Sequence, residues 1–154
     1  MFLTILLCLA LVVATTLVHY EVLSHLSSRL PALLIASRLK LVVVMVAVFA
    51  AHAGEILLYA AATWAWISYV GIGGLAGSAA ATFANCLYFS AETCTSLGFG
   101  DIVPSGPLRL LAGVETLNGL LLIGWSSSFI YLSMERFWDV APAAKPWEPT
   151  ASGK

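Results

Sequence analysis

Charge is what this sequence has least of. Seven Lys and Arg and eight Asp and Glu make 10% of its 154 residues, where an ordinary soluble domain carries about a quarter. That deficit excludes a water-solvated surface of the usual kind. With 60% hydrophobic residues and a mean hydropathy of +0.95, the chain reads as one solvated by a bilayer. The formal net charge is −1, so no polybasic surface for nucleic acid is indicated. Cysteine is scarce: Cys8, Cys86 and Cys94 show no CxxC spacing. They imply neither a disulfide frame nor a zinc site, only small buried thiols. No Lys or Arg precedes Arg29, so the first apolar run lacks the basic start of a secretory signal and reads as a retained span. The same run lacks the regularly spaced arginines of a voltage sensor. No nucleophile–base pair or metal-ligand cluster stands out, so neither an enzyme nor a cofactor is expected.

What is present is apolar length. Three runs, 2–18, 41–67 and 108–134, contain no proline. The later two exceed the roughly 20 residues a spanning helix needs. The expected fold is an all-α membrane protein with three transmembrane helices. Basic residues set the orientation: Arg29, Arg38 and Lys40 lie between runs one and two, and Arg136 and Lys145 follow run three. The positive-inside rule puts both regions in the cytoplasm and the N-terminus outside, in a cell (inner) membrane. Trp64, Trp66 and Tyr69, and Tyr131 and Trp138, fit interfacial aromatic belts. The expected units are a first helix over 1–24, an interfacial connector over 25–40 and a membrane module over 41–138. A disordered tail rich in Pro and Ala follows over 139–154.

Between the second and third runs the character changes. "VGIGGLAGSAA" is glycine-rich. Residues 82–95, "TFANCLYFSAETCT", have helical spacing with Phe83, Leu87 and Ala91 on one side and Thr82 as a cap. Such a helix is only about 20 Å long, too short to cross. "SLGFGDIVP" follows. Irregular backbone survives at membrane depth only where protein or water satisfies it. So this unit is either an outside loop or a re-entrant segment along a water-filled path. If four such segments met on an axis, consecutive carbonyls could replace a cation's water shell. Gly98 and Gly100 permit the alternating backbone handedness that this requires. Asp101 would then form a carboxylate ring at the outer mouth.

"TCTSLGFGDIVP" resembles the selectivity-filter signature of tetrameric potassium channels, T-x-T-T-V-G-Y-G-D with a proline soon after. The order short helix, filter, last span is also that family's pore module. The resemblance runs from Leu41 to about Trp138 and is close to the small bacterial channels of the two-transmembrane type, with the first span additional. It implies an outer helix over 41–67, an outer loop over 70–81, a pore helix over 82–95, a filter over 96–101 and an inner helix over 108–136. It also implies a homotetramer, with self and membrane lipids as partners alongside an unidentified regulatory partner. Carried over by residue, Thr95 precedes the filter, and Ser96, Leu97, Gly98 and Phe99 supply oxygens to potassium ions. Gly100 closes the filter, and Asp101 sits at the mouth with Glu92 behind it, the two carboxyls sharing a hydrogen bond. Ser96, Leu97 and Phe99 stand where threonine, valine and tyrosine are usual. "S-x-G-F-G" is similar to the filter of ether-à-go-go-related channels, which is compatible with potassium selectivity. Phe99 lacks the tyrosine hydroxyl that braces the filter, which would make it softer, quicker to inactivate or leakier to sodium.

Polar residues inside the spans are functional candidates by default. His52 and Glu55 share a helical face of run two. Glu115 and Asn118, with Leu122, Ser126 and Ser133, form a stripe on run three. Glu55 is expected about as deep as Asn118, and Glu55 or His52 is expected to brace the pore by a hydrogen bond to span three or to the short helix. His52 could instead sense pH. Gly119 and Gly124 are candidates for an inner-helix hinge, Gly119 the better placed, or simply for close packing. The serines of "WSSS", 125–128, would solvate an ion or bond back to their own helix. "GIGGLA" formally fits a dinucleotide motif, but no βαβ unit surrounds it. His19 and His25 fall near the first connector and His52 near mid-membrane, so no facing haem-ligand pair is expected. The expected function is passive potassium conduction. A weakly selective cation channel and a non-conducting accessory subunit are the alternatives.

Overall fold

A computed structural model of the chain describes residues 1–77 and 82–137. The tail over 139–154, Trp138, Lys145 and residues 78–81 of the outer loop lie outside the described residues. Helix α1, Phe2–Arg29, is unbroken. Its inward residues, Thr4, Cys8, Leu11, Thr15, His19 and Leu23, recur at steps of three and four, the stripe of one helical face. The connector expected over 25–40 is mostly helix: one 3₁₀ turn, Leu30–Ala32 around Pro31, separates α1 from α2, Ser37–Ala65. Pro31 lies in the first turn of that 3₁₀ segment, where its missing N–H costs little, and the helical run ends at Leu33, whose backbone is extended. The end of α2 widens into a π turn, Trp66–Val70. Gly71 then stops it at φ 67°, the left-handed cap that glycine adopts without penalty.

Helix α3, Phe83–Cys94, is capped by Thr82, whose Oγ1 accepts the Asn85 N–H at 3.3 Å. Helix α4, Leu108–Phe137, runs straight through Gly119 and Gly124. The all-α expectation needs one correction. Strands β1, Gly74–Gly77, and β2, Ile102–Ser105, pair antiparallel with Gly74 opposite Ser105 and Gly77 opposite Ile102. Ser105 Oγ both donates to the Gly74 carbonyl and accepts its N–H, each at 3.0 Å. This ribbon ties the segment after α2 to the segment before α4. Gly77, at φ 133°, lies so close to the Asp101 carbonyl that no side chain would fit.

Helices α1, α2 and α4 are each long and apolar enough to cross a membrane. The short α3 lies against both α2 and α4. The three long helices pack together through two apolar clusters. One joins Cys8 and Leu11 to Tyr59, Trp66, Leu108 and Leu111. The other joins Leu23 and Leu30 to Val44 and Val48. Between these clusters the interior is polar. The outward faces are apolar instead, as at Phe49 and Leu121, 76% and 66% exposed. In lipid such faces have no reason to fold inward, so helix association rests on close packing and interhelical hydrogen bonds. The buried face of α3 is not the expected Phe83–Leu87–Ala91 side. It is Cys86, Phe89, Ser90, Glu92, Thr93 and Cys94, because smaller and polar residues let α3 approach its neighbours closely. Phe83 turns outward onto Trp64, edge to face at 6.3 Å.

Candidate functional site

The loop after α3 is held from behind by the helix it leaves. The Glu92 carbonyl accepts the Leu97 N–H at 2.8 Å and the Gly98 N–H at 3.4 Å. The side chain of Glu92, 4% exposed, reaches further: its Oε2 accepts the Phe99 N–H at 3.1 Å. Asp101 takes a different partner, accepting from the Tyr88 hydroxyl at 3.2 Å. Of the two carboxyls expected to share one hydrogen bond, one thus accepts from backbone and the other from a phenol. Desolvation, then the Asp101 carboxylate, push the Tyr88 phenol above its usual value, so it stays a donor at neutral pH. Thr95 Oγ1 donates back to the Ala91 carbonyl at 2.8 Å.

The backbone of this loop alternates. Ser96, Gly98 and Gly100 have φ of 59°, 53° and 79°. Leu97 and Phe99, between them, are not left-handed. For glycine such values are free, and for serine they are strained. Alternating handedness lets successive carbonyls turn to one side of a strand. The side chains of Leu97 and Phe99 stand outward, 58% and 65% exposed.

Behind the loop lies a frame of buried polar groups. Ser90 Oγ faces the Ile56 carbonyl at 3.0 Å and also a carboxylate oxygen of Glu115, so α3 is joined to both α2 and α4. Thr116 Oγ1 donates to the Thr93 carbonyl at 3.1 Å. Asn118 Nδ2 donates to Thr15 Oγ1 at 2.8 Å and to the Tyr59 hydroxyl at 3.3 Å. Gly119 is a close-approach residue: a Cβ there would sit 2.7 Å from Cys94 Sγ and collide with the Cys94 carbonyl. Gly124 has open space around it. Burial, then the Glu115 and Glu55 carboxylates, push the Cys94 thiol up to about 11, so it packs as a neutral group. Cys8, Cys86 and Cys94 are all free and buried. Ser127 and Ser128 bond back to the Ile123 and Gly124 carbonyls at 2.9 and 3.1 Å.

One turn further along α2 is a closed ring of four side chains. Glu55 Oε1 meets His19 Nδ1 at 2.7 Å and Glu55 Oε2 meets His52 Nδ1 at 2.9 Å. Both Nε2 atoms converge on Ser126 Oγ at 3.0 Å. Glu55 is thus not level with Asn118; Tyr59, one turn along, is. His52 does reach α4, through Ser126, while Glu55 turns to α1. His19 lies opposite His52, ring centroids 5.1 Å apart, and not at a connector, because α1 continues ten residues beyond it. Among the described residues, the ligand atoms of His19, His52 and Glu55 fall within 4.8 Å of one another. Their separations are those of hydrogen bonds, and every ring nitrogen already has a partner.

Residue-level reading of the sequence missed His19, Thr15, Tyr59 and Ser90. The signal was available: in an aliphatic α1, the polar and small residues Thr4, Cys8, Thr15 and His19 recur on a single face.

Comparison with known proteins bears on the part of the chain that carries this loop. The model of a family described as "Ion channel" matches residues 41–136. Among curated proteins, the chain is similar to the inward rectifier potassium channel Kirbac3.1 of Paramagnetospirillum magnetotacticum, 34% identical over 56 residues. That alignment covers 36% of this chain and 19% of the relative, so the chain spans about a fifth of the relative's length. No solved structure matches.

Proposed function

Because the chain belongs to the ion channel family, we propose that it conducts potassium passively through a pore built from four copies of itself. In this reading α3 is a re-entrant pore helix, residues 96–100 form the filter and α4 lines the cavity. Ser96, Leu97, Gly98 and Phe99 give backbone oxygens to dehydrated potassium ions, and Asp101 forms the outer ring of charge. A relative 34% identical over 56 residues is itself a potassium channel by name, which supports the choice of ion. The observation that carries the reading is the alternation of left-handed φ at Ser96, Gly98 and Gly100. That pattern aligns carbonyls in a row, which a loop serving only as a connection has no need to do. The filter also needs each chain to supply one strand, and a closed ring follows from four. The N-terminus is placed outside and Arg29, Arg38 and Lys40 inside, by the basic-residue rule.

The test is reconstitution of the purified chain in liposomes with potassium on one side and sodium on the other. A reversal potential near the potassium value supports the proposal. A reversal near zero with robust current would replace it with a weakly selective cation pore, which the missing hydroxyl at Phe99 favours. A well-formed tetramer without flux would make the chain an accessory subunit. Gly119 packs against Cys94, so a hinge in α4 is better sought at Gly124.

A further inference from the structure

The ring of His19, Glu55, His52 and Ser126 can be counted in protons. It has four contacts: His19 Nδ1 to Glu55, Glu55 to His52 Nδ1, His52 Nε2 to Ser126, and Ser126 to His19 Nε2. Each contact needs one hydrogen. All four imidazole nitrogens, both carboxylate oxygens and the single hydroxyl are used in the ring, so no hydrogen can come from elsewhere within it. With Glu55 ionised and both imidazoles neutral, the four side chains own three hydrogens. The closed ring requires a fourth.

We propose that these four residues form a buried site that binds one proton per chain, shared between His19 and His52, and that this proton completes the contacts of α1 and α2 with Ser126 of α4. With the proton bound, one imidazolium balances the Glu55 carboxylate and the cluster is neutral, the arrangement a bilayer interior demands. Both Nδ1 atoms carry hydrogen toward Glu55. One Nε2 donates to Ser126 Oγ, and the Ser126 hydroxyl donates to the other Nε2. With the proton gone, three hydrogens serve four contacts. One Nε2 then faces the Ser126 oxygen lone pair to lone pair, and a net negative charge remains buried. The break falls at Ser126, the corner that α4 contributes.

The surroundings fit a site closed to other charges. From α2 the ring is faced by its own His52 and Glu55, and from α4 by Ser126 and by the indole of Trp125, 5.4 Å from His19. Among the described residues, no lysine or arginine is a partner of the ring. Glu21 and His25 lie further along α1, exposed and bonded to each other's turn. Tyr59 and Glu115 are engaged with Asn118 and Ser90. His19 is fully buried, while the side chain of His52 is 18% exposed. The site does not depend on which ion, if any, the protein conducts.

The test uses the full chain, ¹⁵N-labelled at histidine, in lipid bilayers. At about pH 6, three of the four ring nitrogens of His19 and His52 are expected to carry hydrogen, both Nδ1 among them. At about pH 9, two of four are expected. His25, exposed on α1, is the internal reference. Ser126→Ala removes two of the four contacts and should reduce the fraction of chains that show the third hydrogen at about pH 6. If that variant does not fold, the wild-type count decides alone. Two of four across the whole range, four of four, or a neutral imidazole protonated at Nε2 would overturn the proposal. So would stoichiometric protein-bound zinc that accounts for the missing signals. Flux from the same bilayers is read separately: silent bilayers with a three-of-four count would sink conduction and leave the proton site standing.

Discussion

Ser96 occupies left-handed backbone that its Cβ disfavours by about 1–2 kcal/mol, and it does so two residues before Gly98, which needs the same region. Ser96→Gly should therefore stabilise the loop by up to that amount while removing one hydroxyl. Gly98→Ala should do the reverse. No atom lies within 4 Å of a Cβ built at Gly98, so its cost is conformational, about 1–2 kcal/mol. Ion flux is the readout: Gly98→Ala is expected to abolish it, and an unaltered current would show that the φ pattern is dispensable. Glu92 gives a second prediction at this scale. Glu92→Ala leaves the part-buried Phe99 N–H without its acceptor, at about 1 kcal/mol. Glu92→Gln keeps an acceptor oxygen and should keep most of the selectivity. Reversal potentials of the two variants check it, and equal behaviour would remove Glu92 from the support of the loop. The glycines were legible in the sequence because their chemistry is local. The reach of Glu92 to Phe99 was not, because it depends on how tightly the chain turns after α3.

Among elements, the meeting of α3 and α4 is decided at Gly119. A side chain there must displace the Cys94 carbonyl and thiol, and backbone does not yield cheaply in a packed helix pair. Gly119→Ala should separate α3 from α4, with an overpacking cost of about 1–3 kcal/mol. Gly124→Ala, with open space around it, should be neutral or slightly stabilising through helix propensity. Thermal midpoints of the two variants in the same lipid test this, and similar losses at both would point to flexibility rather than packing. Helix existence was readable from apolar length, and α4 from its stripe of Glu115, Asn118, Leu122, Ser126 and Ser133, all buried. The ends were less readable. The stretch from residue 25 looked like a connector, yet α1 continues to Arg29, because nothing before Pro31 breaks a helix. The β1–β2 ribbon left no trace in "GLAG", since four residues rich in glycine show no alternation to read.

At the scale of the whole molecule, the first span is tied in by shape and by polarity. It gives Thr15 to Asn118 and His19 to Glu55 and Ser126, so residues that looked like isolated features of two spans are the far halves of contacts with a third. That could not be read along the chain, because the partners are 103 and 36 residues apart and only the parallel packing of α1 on α4 and its antiparallel packing on α2 bring them level. Thr15 sets a test of how much such a contact contributes. Thr15 Oγ1 donates to the Leu11 carbonyl at 2.8 Å and so presents its lone pair to Asn118. Thr15→Val preserves shape and apolar character, leaving Asn118 with the Tyr59 hydroxyl alone. Interhelical hydrogen bonds in bilayers average about 0.6 kcal/mol and reach about 1.7 at most. A double-mutant cycle of Thr15→Val with Asn118→Leu should return a coupling within that range, at its upper end because both partners are fully or nearly fully buried. Thermal unfolding in one lipid composition supplies the four stabilities. Additive losses would mean that α1 is held by packing alone and that its polar stripe serves the proton ring one turn away rather than the docking of the span.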